Sequence, residues 1–244
     1  MSTLSDQCVL ITGGGSGIGL AAARLFLAEG ARVAVAGRDA DKLRRAAETL
    51  QGGDRLIYHA ADVTDPEQVR RLVEDVSRRF GRIDVLVNNA GLNIKERTLR
   101  ELTPERWKRL VGGNLEGAFY CMQAVLPQMR ERRDGLIINI NSIAGKRANP
   151  LGGAGYIAAK FGLRGLAMGV AAEEKPNGVR VSSIYPGEVD TPILEQRPSP
   201  VTDEHRRSML QPEDVAAAVL FIAKLPANAT VPELVITPSG AQYI

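Results

Sequence analysis

Short, wholly apolar runs alternate along this chain with stretches in which apolar residues recur every three or four positions. Cys8–Ile11 is apolar throughout, which suits a strand covered on both faces. A glycine turn follows, and then Ile18, Ala21, Ala22, Leu25 and Phe26 fall on one helical stripe. The alternation then repeats. Strands are predicted at Arg32–Ala36, Leu56–Ala60, Val85–Asn88, Leu136–Ile140, Val179–Ile184 and Leu234–Ile236. Helices are predicted from an Asp39 cap through Leu50, from Pro66 to Phe80 with Gly81 ending it, and twice between Pro104 and Arg132. Two more cover Gly155–Glu174 and Pro212–Leu225. Such alternation implies an α/β fold with one doubly wound parallel sheet of about seven strands and helices on both faces. No repeat, linker or low-complexity run interrupts it, so residues 1–244 read as one domain. Thr191–Leu210, rich in proline and charge, is the one stretch expected to be flexible and is placed to serve as a lid.

In a sheet of this kind ligands bind beyond the carboxyl ends of the strands. After the first strand come Gly13, Gly15, Ser16, Gly17, Ile18 and Gly19. A strand feeding a helix through glycines presents backbone N–H groups and the positive end of a helix dipole to an anion, and lets a pyrophosphate approach the backbone. The expected ligand is a dinucleotide. After the second strand, Gly37 stands where an acid that holds a ribose 2′-hydroxyl is expected, and Arg38 follows. Arg38 can bond a 2′-phosphate or be a surface arginine at a helix start. NADP(H) is therefore the preferred cofactor, with NAD(H) possible. Asp62 and Val63 follow the third strand, where Asp62 can accept from an adenine amino group or cap the next helix. Asn88, Asn89, Ala90 and Gly91 follow the fourth, either as a simple turn or as a brace at the switch point of the sheet.

Tyr156 and Lys160 lie at i and i+4 on a predicted helix and share a face. Ser142 lies just past the fifth strand, and Asn114 in the helical region before it. A phenol titrates near ~10, too high for a base at neutral pH, but a neighbouring ammonium and an oxidised nicotinamide both favour the phenolate. Tyrosine then becomes a proton donor and acceptor, with a serine hydroxyl to hold the substrate oxygen. Taken alone, the pair is also what a partly buried tyrosine and a snorkelling lysine look like.

The chain is 44% hydrophobic and 24% charged with a net charge of +3, which fits a soluble globular protein and an anionic cofactor and does not argue for nucleic acid. Its basic clusters are mixed with acids, as on a solvated face. Two cysteines give no disulfide framework, and MSTLSDQ at the start lacks a signal-peptide core. No run approaches the ~18 apolar residues of a membrane span. A cytoplasmic protein without membrane or metal is expected.

Thr12–Gly19, Asn88–Gly91, Asn114, Ser142, Tyr156-x-x-x-Lys160 and Pro186-Gly187 together resemble, in order and place, the short-chain dehydrogenase/reductase family. The resemblance runs from about Val9 to Ile236. It implies a Rossmann fold and hydride transfer between nicotinamide and a carbonyl or alcohol. It also implies roles. Tyr156 would be the general acid/base and Ser142 would position the carbonyl oxygen. Lys160 would lower the Tyr156 pKa and bind the nicotinamide ribose. Asn114 would support a water that relays protons to Lys160. Pro186, Gly187, Val189 and Thr191 would surround the carboxamide. A homo-oligomer, tetramer or dimer, is implied as well, with Arg106–Met129 and Gly155–Glu174 as interface helices. Asn141, Ser182, the KRANPLGGAG segment and the VITPSGAQYI ending depart from the family's usual residues. The competing readings are a redox sensor that binds the nucleotide without catalysis, and an enoyl reductase, which the four-residue Tyr–Lys spacing disfavours. A substrate pocket is expected from Asn93, Ile94, the Asn149–Gly153 loop, Glu188 and Thr191–Leu210, with no particular compound indicated.

Overall fold

The computed structural model describes residues 4–241; Met1–Thr3 and the final Gln242–Ile244 lie outside the described residues. One parallel sheet of seven strands forms the middle layer, in spatial order β3-β2-β1-β4-β5-β6-β7. The strands are β1 (Cys8–Thr12), β2 (Arg32–Gly37), β3 (Leu56–Ala60), β4 (Val85–Asn88), β5 (Gly135–Ile140), β6 (Val179–Pro186) and β7 (Glu233–Ile236). Every residue of β1 and β5 is buried, which explains the unalternating apolar runs Cys8–Ile11 and Leu136–Ile138.

Successive strand residues point to opposite faces, and the two cores divide accordingly. Val9, Ile11, Val33 and Val35 pack under α1 (Gly17–Ala28), α2 (Ala40–Leu50) and α8 (Pro212–Ala223). Cys8, Leu10, Ala34 and Ile137 pack under α3 (Pro66–Phe80), α5 (Gly117–Arg132) and α6 (Ala154–Glu174). The helix starts obey their caps: Asp39 accepts from Lys42 N at 2.9 Å, and Asp65 accepts from Glu67 N at 2.9 Å.

Two segments differ from expectation. Between Pro104 and Arg132 there is one helical run, α4 (Pro104–Val111) passing into α5 through a π turn at Gly112–Glu116. And Thr191–Leu210 is not an open loop. It holds a 3-10 turn at Pro192–Gln196 and α7 (Asp203–Ser208), tied back by Arg197 and His205 to Glu188 and by Arg206 to Asp190.

The edge strand β7 is anchored by Glu233, whose carboxylate takes bonds from Lys146 (2.5 Å), Tyr185 (2.7 Å) and Arg164 (2.8 Å). Burial pushes its pKa up, but these bonds outweigh burial and hold it down at about 2. A depressed folded-state pKa contributes stability above the unfolded value and loses it as pH falls through the folded one. Glu233→Gln is expected to cost on the order of 2 kcal/mol at neutral pH. Urea midpoints of the two proteins should converge as pH drops from 4.5 toward about 2. A gap independent of pH would assign the loss to packing.

Candidate active site

The strand order reverses between β1 and β4, and the turns after these two strands are bonded together. Thr12 Oγ1 accepts from Asn89 N at 3.1 Å and from Ala90 N at 3.0 Å. Asn89 Nδ2 donates to Thr12 O at 3.0 Å and Gly13 O at 3.1 Å. The Asn88–Gly91 stretch is thus a brace across the switch point. A cleft of about 560 Å³ opens above it. Gly13, Gly15, Ser16, Gly17, Ile18, Arg38, Asp62, Val63, Asn89, Ala90 and Gly91 line this cleft. So do Asn114, Ser142, Tyr156, Lys160, Pro186, Gly187, Val189 and Thr191.

At one end the cleft is built for a dinucleotide. Gly13 (φ +66°) and Gly17 (φ +52°) take the left-handed conformation that side-chain-bearing residues resist. Ser16 precedes α1 without capping it, and the first turn holds no acid, so the orphan N–H groups of that turn are left for an anion. Gly19 does not line the cleft. A Cβ there would lie 2.5 Å from Gly13 O and from Asn89 Nδ2, so its part is to let helix and turn touch. Asp62 accepts from Thr64 N and Oγ1, both at 2.9 Å, and Asp65 caps α3, so Asp62 is not a helix cap. Arg38 is exposed, and among the described residues it makes no ion pair; Asp39, its neighbour, is engaged at the α2 cap. Lys42, one turn into α2, also lines this end. It was not predicted, because a half-exposed lysine in a charged helix carries no signal of its own. These features fit a nicotinamide dinucleotide.

At the other end four polar side chains converge. Asn114 sits in the π turn, a feature often found at functional sites. Its Nδ2 donates to Leu92 O (2.8 Å) and Leu110 O (2.9 Å), and its Oδ1 accepts from Leu92 N (3.2 Å). Lys160 is buried, with Nζ bonded to Ile140 O at 3.1 Å and standing 5.6 Å from the centre of the Tyr156 ring. Burial pushes its pKa down to about 8. Burial pushes the Tyr156 pKa up, while the neighbouring Ser142 hydroxyl and the positive charge of Arg97 pull it back. From protein groups alone the balance is upward, opposite to the expected effect of lysine and oxidised nicotinamide together, because the phenol is desolvated.

Asn93, Asn149, Leu151, Gly152, Glu188 and the start of Thr191–Leu210 line the same end, as expected, whereas Ile94 is buried behind it. Arg97 lines it too and was not anticipated. Burial pushes the Glu188 pKa up, but the His205 and Arg197 bonds prevail and hold it below the usual carboxylate range.

The sequence model of the family described as short chain dehydrogenase matches residues 7–201. The chain belongs to the short-chain dehydrogenase family. An uncharacterized oxidoreductase of Staphylococcus saprophyticus is 35% identical over 240 residues, covering 98% of this chain and 100% of the relative. A metagenomic short-chain oxidoreductase solved with NADP is 33% identical, with a TM-score of 0.84 over 98% of this chain and 99% of that one. A 3-ketoacyl-(acyl-carrier-protein) reductase from Brucella melitensis, solved with NADH, is 30% identical with a TM-score of 0.88 over 97% and 98%. This short-chain dehydrogenase is therefore an oxidoreductase with a Rossmann-type sheet, and a nicotinamide cofactor is supported.

Proposed function

We propose that this enzyme reversibly reduces a ketone or aldehyde to an alcohol with NADP(H). The observation that carries the reading is one cleft in which an uncapped helix N-terminus and glycine turn face the half-buried Ser142 and Tyr156 and the buried Lys160. A bound nicotinamide supplies or accepts the hydride. Tyr156 donates its phenolic proton to the oxygen that becomes the alcohol, and takes it back in oxidation. Ser142, whose hydroxyl neighbours the Tyr156 phenol, orients that oxygen. Lys160, held by Ile140 O, is placed for the nicotinamide ribose and, when charged, favours the phenolate. Asn114 holds the wall beside it: a Cβ on Gly91 would lie 3.0 Å from Asn114 Oδ1 and 3.7 Å from Lys160 Nζ. A water between them would complete a proton path to solvent.

NADPH is favoured over NADH by Arg38, just past β2, and Lys42, one turn into α2, two cations that make no ion pair among the described residues and face no carboxylate at Gly37. Two buried free thiols, Cys8 and Cys121, suit a reducing compartment such as the cytoplasm. Partly exposed Phe119, Phe161 and Met168 on α5 and α6 support assembly into a homo-oligomer, and light scattering should give a multiple of 26.2 kDa. The reading is tested by mixing enzyme with NADPH and a panel of ketones and aldehydes while following the near-ultraviolet absorbance of the reduced nicotinamide. Consumption that needs the carbonyl compound supports it. Tight NADPH binding with no turnover across the panel favours a sensor.

A further inference from the structure

Arg97 is a cation that the reduction itself does not call for. Only 5% of it is exposed, yet it lines the cleft at the end that holds Tyr156. Its Nε donates to Ile94 O at 2.7 Å, its Nη1 to Leu151 O at 2.7 Å, and its Nη2 to Gln196 O. All three acceptors are backbone carbonyls. Among the described residues no carboxylate pairs with it. Carbonyl dipoles hold a guanidinium in place but do not cancel its charge. An arginine has five N–H donors, so two remain for a ligand.

The charge is held in position deliberately by the chain. Gly153 adopts φ +75°, and a Cβ there would lie 2.6 Å from Arg97 O and 2.7 Å from Arg97 Cβ. No larger residue leaves room for the arginine backbone. Arg197 also faces this end, but Glu188 neutralises it, and His205 shares that carboxylate. Arg97 feels the positive charge of Arg197 and acts on the phenol of Tyr156, so these groups surround one space. Of Arg97 and Arg197, it is Arg97 whose charge no carboxylate among the described residues balances. A buried cation without an anion is costly, and perturbed charges in clefts mark binding sites. The cofactor's phosphates do not meet the need: their place is at the α1 N-terminus and near Arg38, while Arg97 bonds the walls of the substrate end.

We propose that Arg97 is the anion-recognition residue of the substrate site, and that the substrate is a small hydroxy or oxo compound carrying a carboxylate. A carboxylate presents two oxygens to the two remaining guanidinium donors, a geometry suited to arginine. This assignment rests on the carbonyl–alcohol reading above, and the test separates the two.

The probes are short 2-, 3- and 4-hydroxy acids, each paired with its methyl ester, given to the enzyme with NADP⁺. At least one acid should exceed its ester in kcat/KM by roughly 10–100-fold, the range set by a hydrogen bond to a charged group. Arg97→Met should lower kcat/KM for that acid at least about tenfold more than for its ester, and Arg97→Lys should restore part of the difference. Calorimetric titration of the same acids into the enzyme–NADP⁺ complex needs no turnover. Acid binding that is lost in Arg97→Met, without turnover of any alcohol, keeps the anion site and overturns the oxidoreductase chemistry proposed for it. Esters equal to or better than acids in the unaltered enzyme, with no calorimetric preference for the acid, overturn the anion site. An equal loss for acid and ester in Arg97→Met and Arg97→Lys overturns it too, and leaves Arg97 as a clamp for three loops.

Discussion

Tyr156→Phe is expected to lower kcat at least ~100-fold and to leave the NADPH dissociation constant nearly unchanged. The substitution removes one oxygen. It keeps the ring that packs near Lys160, whose Nζ stands 5.6 Å from the ring centre. The anion-binding end of the cleft, built on Gly13, Gly17 and the start of α1, is untouched. What disappears is the proton donor beside Ser142. Direction matters as well. Burial holds the Tyr156 pKa up, so the protonated form needed for carbonyl reduction persists through neutral pH. Alcohol oxidation needs the phenolate, and its rate should climb as pH rises through neutrality. Fluorescence titration with NADPH and steady-state rates in both directions check these points together. Loss of cofactor binding along with the rate would show that Tyr156 builds the cofactor site instead.

The second large effect is on cofactor choice. Replacing Arg38 and Lys42 together by alanine should raise the NADPH dissociation constant ~100-fold or more and barely alter that for NADH. Each charge-assisted bond to a 2′-phosphate is worth about 1.5–3 kcal/mol in a favourable geometry, and the exposure of Arg38 places it at the low end. The single variants should each give roughly a tenfold rise, the two effects adding to that of the double variant. Equal weakening of both dinucleotides would mean that the two side chains pack on the adenosine and read no phosphate. Tighter binding of NADH than NADPH by the unaltered enzyme would overturn the preference outright.

The fold was legible wherever burial was uniform. β1 is buried along its whole length, and the apolar run Cys8–Ile11 follows from that. The Asp39 and Asp65 caps were legible because capping is local chemistry. Features decided by distant partners were not. The two helices expected between Pro104 and Arg132 are present as α4 and α5, but the π turn that joins them, in which Asn114 bonds Leu110 O and Leu92 O, was not legible. Thr191–Leu210 reads as flexible from its prolines and charges, but the acids that fasten it, Glu188 and Asp190, precede the segment. Arg97 stands among Lys95, Glu96 and Arg100, so its neighbours describe a solvated loop. Its burial depends on Gly153 and on carbonyls at Leu151 and Gln196, far along the chain. The polar residues of the cleft could be named from the motifs by which the chain resembles its family, while their surroundings, and hence the direction of the Tyr156 shift, required the assembled structure.

The central claim is that this cleft moves a hydride between nicotinamide and carbonyl carbon. Its most direct test is single turnover with NADPH deuterated at the transferring carbon of the nicotinamide, followed by mass spectrometry of the alcohol. The account predicts one deuterium on the carbinol carbon with the unaltered enzyme, and at least ~100-fold slower label transfer with Tyr156→Phe. Alcohol formed without deuterium on that carbon, or label transferred equally fast by the phenylalanine variant, would contradict it.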